Sequence, residues 1–222
     1  MEKSYSIKDL FEFDMIHKNN VQGALNLSLN NYDTLIGTDE AGRGPGAGRV
    51  YAAAVCFKDD VPYELFLKLN DSKKLTPKKR EELFDVIKKY SIYSINYVDV
   101  SEIEKINILN ASLLAMKKSV LDVIKKTKAK SPLCLVDGNR LIKFEVPQKT
   151  IIKGDSKSAS IAASSILAKV ERDRYMDKIH EEYPMYNWAK NKGYLTPEHI
   201  CAIKKYGVSK YHRCSFLKKV TS

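Results

Sequence analysis

The chain has 222 residues, 44% hydrophobic and 29% charged, enough for one substantial core and too few for three domains. Its formal charge of +11, from 38 Lys and Arg against 27 Asp and Glu, comes in dispersed KK and KKR groups, which favours a polyanionic partner, nucleic acid ahead of an anionic membrane. Cys56, Cys134, Cys201 and Cys214 form no CxxC pair, and no run approaches the ~18 apolar residues of a membrane span or the core of a signal peptide; this argues against a disulfide frame, a zinc site and a membrane anchor, and a cytoplasmic protein is expected.

Residues 8–16, KDLFEFDMI, suggest a short amphipathic helix, and a polar Asn-rich stretch follows, so residues 1–32 are expected to form a peripheral segment. TLIGTDE, GRVYAAAVCF and YSIYSINYVDV are rich in Val, Ile, Ala and Tyr and predict three strands, the first two joined by a short connection and antiparallel. EELFDVIKKY predicts a helix. NILNASLLAMKKSVLDVIKK predicts another, with Leu109, Ser112, Leu113, Met116, Val120 and Val123 at helical spacing on a packing face. PLCLVD and KTIIK add two short strands, and SKSASIAASSILAKVERDRYMDKIHEEY and PEHICAIKKY two more helices. The order predicts an α/β fold, a mixed sheet with helices on both faces. If the fourth strand lies parallel beside the first, Asp137 arrives next to Asp39 at the carboxyl ends, where open sheets place ligands.

Four carboxylates stand at that inferred edge: Asp39, Glu40, Asp137 in LVDGNR, and Asp155 in KGDSKSAS. Gathered acids without Lys or Arg neutralisation repel in a low-dielectric cleft and call for a cation, and hard oxygen ligands suit Mg²⁺ or Mn²⁺. Taken singly, Asp137 before Gly138 could shape a turn and Asp155 could cap the long helix. The acids Asp71, Glu102, Glu104 and Asp173 read as solvated faces or ion pairs, and the four histidines lack metal spacing, with surface roles expected for His199 and His212. The loop GRGPGAGRV lacks the Lys of a phosphate-binding GxxxxGK[ST] and leads into a strand; its glycines offer either bare backbone to a sugar edge or a tight turn.

DEAGRGP at 39–45, AAAV at 52–55, DSKKL at 71–75, VDGN at 136–139, KGD with SIAASSILAKVERD at 153–173, KGY at 192–194 and HRCSF at 212–216 resemble, in the same order, the ribonuclease HII family. The resemblance implies a ribonuclease H-like mixed five-stranded sheet flanked by helices, residues 33–222 as the catalytic domain, and a helical C-terminal extension from about residue 185. It implies an endonuclease that cuts on the 5′ side of a ribonucleotide in duplex nucleic acid, leaving a 3′ hydroxyl and a 5′ phosphate. Asp39, Glu40, Asp137 and Asp155 correspond to its metal-binding catalytic tetrad, with two Mn²⁺ or Mg²⁺ ions. Gly42, Arg43 and Gly44 correspond to its sensor of the ribose 2′ hydroxyl, and Tyr194 to a tyrosine stacked on the sugar of the following deoxynucleotide. Ser72, Lys73 and Lys74, with Asn107 and Asn110, correspond to backbone contacts.

About 34 residues precede the first motif, too few for the substrate-binding domain usual in the related ribonuclease HIII branch, and a monomer without an obligatory partner is expected. Gly46, Arg49, Ser164, Asn187, Trp188 and Asn191 depart from the usual family pattern and bear on groove shape, not on the reaction. The rival readings are a non-catalytic hybrid-binding module, which an intact tetrad disfavours, and a nucleotide hydrolase, which the missing loop Lys disfavours.

Overall fold

A computed structural model describes residues 7–18, 32–69 and 75–218. Strands β1 (Thr34–Ala41), β2 (Val50–Phe57), β3 (Ser91–Val98), β4 (Pro132–Asp137) and β5 (Gln148–Ile151) form one mixed sheet in the order β3-β2-β1-β4-β5. β1 pairs antiparallel with β2, and β2 with β3, while β4 lies parallel to β1 and β5 parallel to β4. Thr38 sits opposite Val136, so the next residues, Asp39 near the end of β1 and Asp137 at the end of β4, lie at the same edge.

The alternation of a strand sorts β2 between two apolar layers. Ala52 and Ala54 face helix α4 (Val100–Thr127) with Ala115, Met116 and Val120, while Ala53 and Val55 face helix α5 (Ala159–Glu182) with Ala162, Ala163 and Ile166. Small residues let these helices come close. At Gly37 in β1 a Cβ would stand 2.3 Å from the Ser160 carbonyl carbon, so only glycine admits the first turn of α5 there. Helix α1 (Ile7–Lys18) packs on the same layer through Leu10, and the Asp14 carboxylate accepts the Ser160 N–H at 2.8 Å.

Several boundaries differ from the expectation for local reasons. Helix α3 (Pro77–Lys89) starts at Pro77 rather than Glu81, because Thr76 accepts the Lys79 N–H and Pro suits the first helical turn. α4 starts at Val100, but its backbone breaks at Asn107 (φ 64°), whose side chain accepts the Asn110 N–H at 3.1 Å. The helix expected from residue 107 is thus the second half of α4. Helices α2 (Tyr63–Leu69) and α6 (Trp188–Asn191) were not foreseen, whereas α7 (Pro197–Tyr206) begins and ends as expected. Asp155 does not cap α5; it lies in the short 3₁₀ turn Gly154–Ser156, and Ser158 caps the helix by accepting the Ile161 N–H at 3.2 Å.

The C-terminal helices form a small lobe around Trp188, which is fully buried and stacked on Tyr186 at 4.9 Å. His199 and His212 are not surface residues but part of this core, 0% and 2% exposed. The Ser209 N–H donates to His212 Nδ1 at 2.9 Å, which leaves the His212 proton on Nε2, where it donates to His199 Nε2 at 3.1 Å. Trp188 Nε1–H donates to the same His199 nitrogen at 3.0 Å, and His199 Nδ1–H donates to the Tyr194 carbonyl at 2.9 Å. Burial pushes both imidazoles down, His212 to about 4, its neighbour His199 adding to the effect.

Two more of the unusual residues have plain hydrogen-bonding roles. Asn191 donates to the Tyr186 carbonyl at 2.7 Å and accepts the Gly193 N–H at 2.9 Å, shaping the turn before Tyr194. Ser164, buried in α5, donates back to the Ile161 carbonyl at 2.8 Å. All four cysteines are free, and no helix among the described residues is long and apolar enough to cross a membrane.

Candidate active site

The carboxyl ends of β1 and β4 deliver the first three acids without special geometry, because parallel neighbours end on the same side of the sheet. Asp39 and Glu40 are consecutive on β1 and so face opposite sides. Asp39 borders a cleft on the α5 side, and Glu40 reaches both that cleft and a smaller recess shared with Asp137, Gly138 and Arg43. Asp155 reaches the α5-side cleft because Gly37 seats α5 tightly on β1. Asp137 Oδ1 also accepts the Gly154 N–H at 2.6 Å, which couples the end of β4 to the turn carrying Asp155.

The electrostatics follow from this gathering. Asp39, 9% exposed, is held well above the usual carboxylate range by burial, then by Glu40, Asp137 and Asp155, while the Glu40 N–H donating at 2.7 Å opposes the rise. Glu40 is also raised by burial, with Arg43 pulling against it from 3.1 Å and Asp137 adding to the rise. The expectation of no neutralising base therefore needs one correction: Arg43 pairs with Glu40. The donor set is all oxygen and its buried member is disfavoured as an anion, which is the chemistry that a hard divalent cation relieves. Among the described residues no three His, Cys, Asp or Glu side chains close into a ready cage, so the acids share a field without forming a collapsed pocket.

The α5-side cleft, about 310 Å³, has an acidic floor and a basic wall of Arg80, Lys169 and Arg172. These three were not singled out from the sequence, although Lys169 and Arg172 stand three apart and share a helix face with the cleft-lining Ser165. Tyr194 is 52% exposed at the rim, and the glycine loop lies against it: a Cβ on Gly44 would stand 3.4 Å from its ring. Gly42 has φ +100°, and a Cβ there would fall 2.1 Å from Arg172 Nε, so this position needs glycine on two counts. Arg49 anchors the far end of the loop, pairing with Asp99 at 2.5 Å and lying over the rings of Tyr97 and Tyr175 at 4.0 and 4.7 Å. Gly46 ties the loop to the lobe, its N–H donating to the Gly193 carbonyl at 2.9 Å. Asn107 and Asn110 are spent on the α4 break, while Ser72, Lys73, Lys74 and Asp71 lie outside the described residues.

The family model for ribonuclease HII matches residues 36–219. The chain belongs to the ribonuclease HII family. It is 53% identical over 188 residues to the ribonuclease HII of Caldanaerobacter subterraneus subsp. tengcongensis, a match covering 84% of this chain and 75% of that one. The crystal structure of ribonuclease H2 from Pyrococcus horikoshii OT3 superposes with a TM-score of 0.66 at 25% identity, covering 84% of this chain and 96% of that chain. Bst ribonuclease HIII in complex with Mn²⁺ shares the fold, with a TM-score of 0.67 at 14% identity over 95% of this chain and 80% of that one. As a member of the ribonuclease HII family the chain is a metal-dependent nuclease, a phosphodiester hydrolase, built on the ribonuclease H sheet.

Proposed function

We propose that this enzyme cuts the RNA strand of RNA–DNA hybrids and nicks DNA duplexes on the 5′ side of embedded ribonucleotides, giving 3′-hydroxyl and 5′-phosphate ends. The observation that carries the reading is the electrostatic meeting of Asp39 with Glu40, Asp137 and Asp155 beside a basic wall. These four carboxylates would hold two Mn²⁺ or Mg²⁺ ions, which when bound activate water and stabilise the departing 3′ oxygen. Asp39, which feels all three other acids, would serve both ions. No side chain needs to act as nucleophile.

Arg80 and Lys169 suit phosphate oxygens and would supply salt-dependent affinity that is blind to sequence, while the buried Arg172, donating to the Lys192 carbonyl at 2.8 Å, would add its charge from behind. Gly42, Arg43 and Gly44 would inspect the 2′ hydroxyl, the group that separates ribose from deoxyribose. The exposed ring of Tyr194 would stack on the following sugar, and Ser72 and Lys73 would touch the backbone. Residues 33–222 would act as the catalytic unit, with 1–32 peripheral, as a cytoplasmic monomer needing no other protein, in removing ribonucleotides during DNA replication and repair.

The test is a DNA duplex with one ribonucleotide, incubated with Mn²⁺ or Mg²⁺ beside an all-DNA control. A nick only in the first duplex, 5′ to the ribonucleotide, is expected. Binding without a nick in either metal would sink the enzyme reading and leave a hybrid-binding module.

A further inference from the structure

The HRCSF segment carries a buried arginine that the cleavage chemistry does not use. Arg213 has no exposed surface, so it cannot meet a phosphate. Its guanidinium instead faces the inside of the glycine loop. Nε donates to the Gly48 carbonyl at 2.8 Å, and Nη1 donates to the carbonyls of Pro45 at 2.8 Å and Arg43 at 3.2 Å. Its own backbone N–H donates to the Gly46 carbonyl at 2.8 Å, and the neighbouring Tyr211 carbonyl accepts the Gly48 N–H at 2.8 Å. One side chain thus collects three carbonyls across the loop, a task that suits the rigid fork of a guanidinium.

Holding a guanidinium there is costly. Burial lowers its proton affinity, and the nearby Arg172 cation lowers it further, with Tyr175, Glu104 and Tyr194 opposing. Glu104 is engaged with Ser215, whose N–H and hydroxyl it accepts at 3.0 and 2.8 Å. Among the described residues the hydrogen bonds of Arg213 go to loop carbonyls, so the shape of the loop is what this buried charge sustains. The loop is otherwise built of residues with wide backbone freedom, four glycines among residues 42–48, and it would lose its conformation without such a brace.

We propose that Arg213 is a positioning residue for ribose recognition, presetting the Gly42-Arg43-Gly44 turn from behind against the acidic site and Tyr194. This rests on the 2′-hydroxyl role given to that turn above. Misplacing a binding element by a fraction of its reach mainly costs turnover, whereas the phosphate contacts that dominate affinity lie elsewhere.

The test compares Arg213→Met and Arg213→Lys with the wild type in the full chain. On a duplex with one ribonucleotide, kcat is expected to fall about tenfold to a hundredfold in both variants with KM within about twofold. Lys keeps the charge but has no fork, so it should not rescue. Val123→Ala, in the core on the other side of the sheet, controls for lost stability. The idea is overturned if Arg213→Met keeps wild-type kcat, if Arg213→Lys restores it, or if Val123→Ala at a matched melting temperature loses as much. Amide hydrogen exchange gives a readout independent of cleavage: exchange across residues 42–48 should rise in Arg213→Met while that of β4 stays unchanged. Unchanged loop exchange would refute the brace itself. A wild type that fails to nick would instead refute the proposed function, and would leave the brace to stand or fall on exchange alone.

Discussion

The acids at the end of the sheet and the histidines of the C-terminal lobe are both like groups packed together, yet their proton affinities move in opposite directions. His199 and His212 are lowered and stay neutral, each nitrogen given to Trp188, Ser209, Tyr194 or the other ring. Asp39 is held well above the usual carboxylate range, first by burial and then by Glu40, Asp137 and Asp155, so its anion is disfavoured until a cation arrives. A neutral cluster closes on itself and becomes core. An acidic one stays open to whatever cation relieves it, and this difference separates a structural centre from a reactive one.

The comparison breaks most visibly if the acidic strain is removed. Asp39→Asn should reduce kcat by about a thousandfold or more. It should also raise the melting temperature of the metal-free protein at neutral pH, because a neutral amide replaces a carboxyl whose ionisation burial and three neighbouring acids oppose. Mn²⁺ should raise the wild-type melting temperature and barely move that of the variant. Near-normal turnover in Asp39→Asn or Asp155→Asn would refute the assignment of the site.

A smaller effect is expected where the cleft meets its substrate through an uncharged ring. Tyr194→Ala should lose about tenfold in kcat/KM on single-ribonucleotide duplexes, the scale of one base-stacking contact, and less on long hybrids. An equal loss on both substrates would count against junction recognition.

Asp14 offers a buried acid outside the site for contrast. Burial lifts it to about 6, with hydrogen bonds from Ser158 and Ser160 opposing, and its Oδ1 has no hydrogen-bond partner. Its folded value lies above its unfolded one, so the stability it contributes is complete below about 4 and is lost as pH rises through about 6. Asp14→Asn keeps an oxygen for the Ser160 N–H and should stabilise the protein at pH 8 by on the order of 2 kcal/mol, with no change in cleavage. Denaturant unfolding at pH 4.5 and 8 checks this; equal stabilisation at both would exclude a titrating Asp14.

The histidine pair should show the reverse sign. His212 lies below its unfolded value, so its contribution is complete above about 6.5 and is lost as pH falls towards about 4. Trp188, the single tryptophan of the chain, touches this pair and reports it by fluorescence. A transition within that window, absent in His212→Asn, is expected. An emission flat from pH 7 to 4 would overturn the neutral-pair account.

Much of the fold could be read from the order of strands and helices, since apolar alternation and helical spacing are local properties. PLCLVD matches β4 and PEHICAIKKY matches α7 residue for residue. The four acids could be picked out because Asp39 and Glu40 lie near the end of β1, Asp137 ends β4, and Asp155 stands in the short turn before α5. The break at Asn107 and the early start of α3 were missed because they hang on single side-chain caps, which add little to a periodic pattern. His199 and His212 were misjudged because a histidine 13 positions from another shows nothing in sequence of a shared hydrogen bond.

By itself, then, the sequence determined most of the elements and the family resemblance, carried by residues near one another in the chain or by ordered motifs, and it raised the meeting of Asp39 with Asp137 only on the condition of parallel strands. Only the tertiary structure decided the basic wall of Arg80, Lys169 and Arg172, the reason for Gly46 and Arg49, and the grip of Arg213 on a loop 165 residues away in the chain. Those contacts join segments distant along the chain, and a packed core brings them together with no local periodicity to announce it.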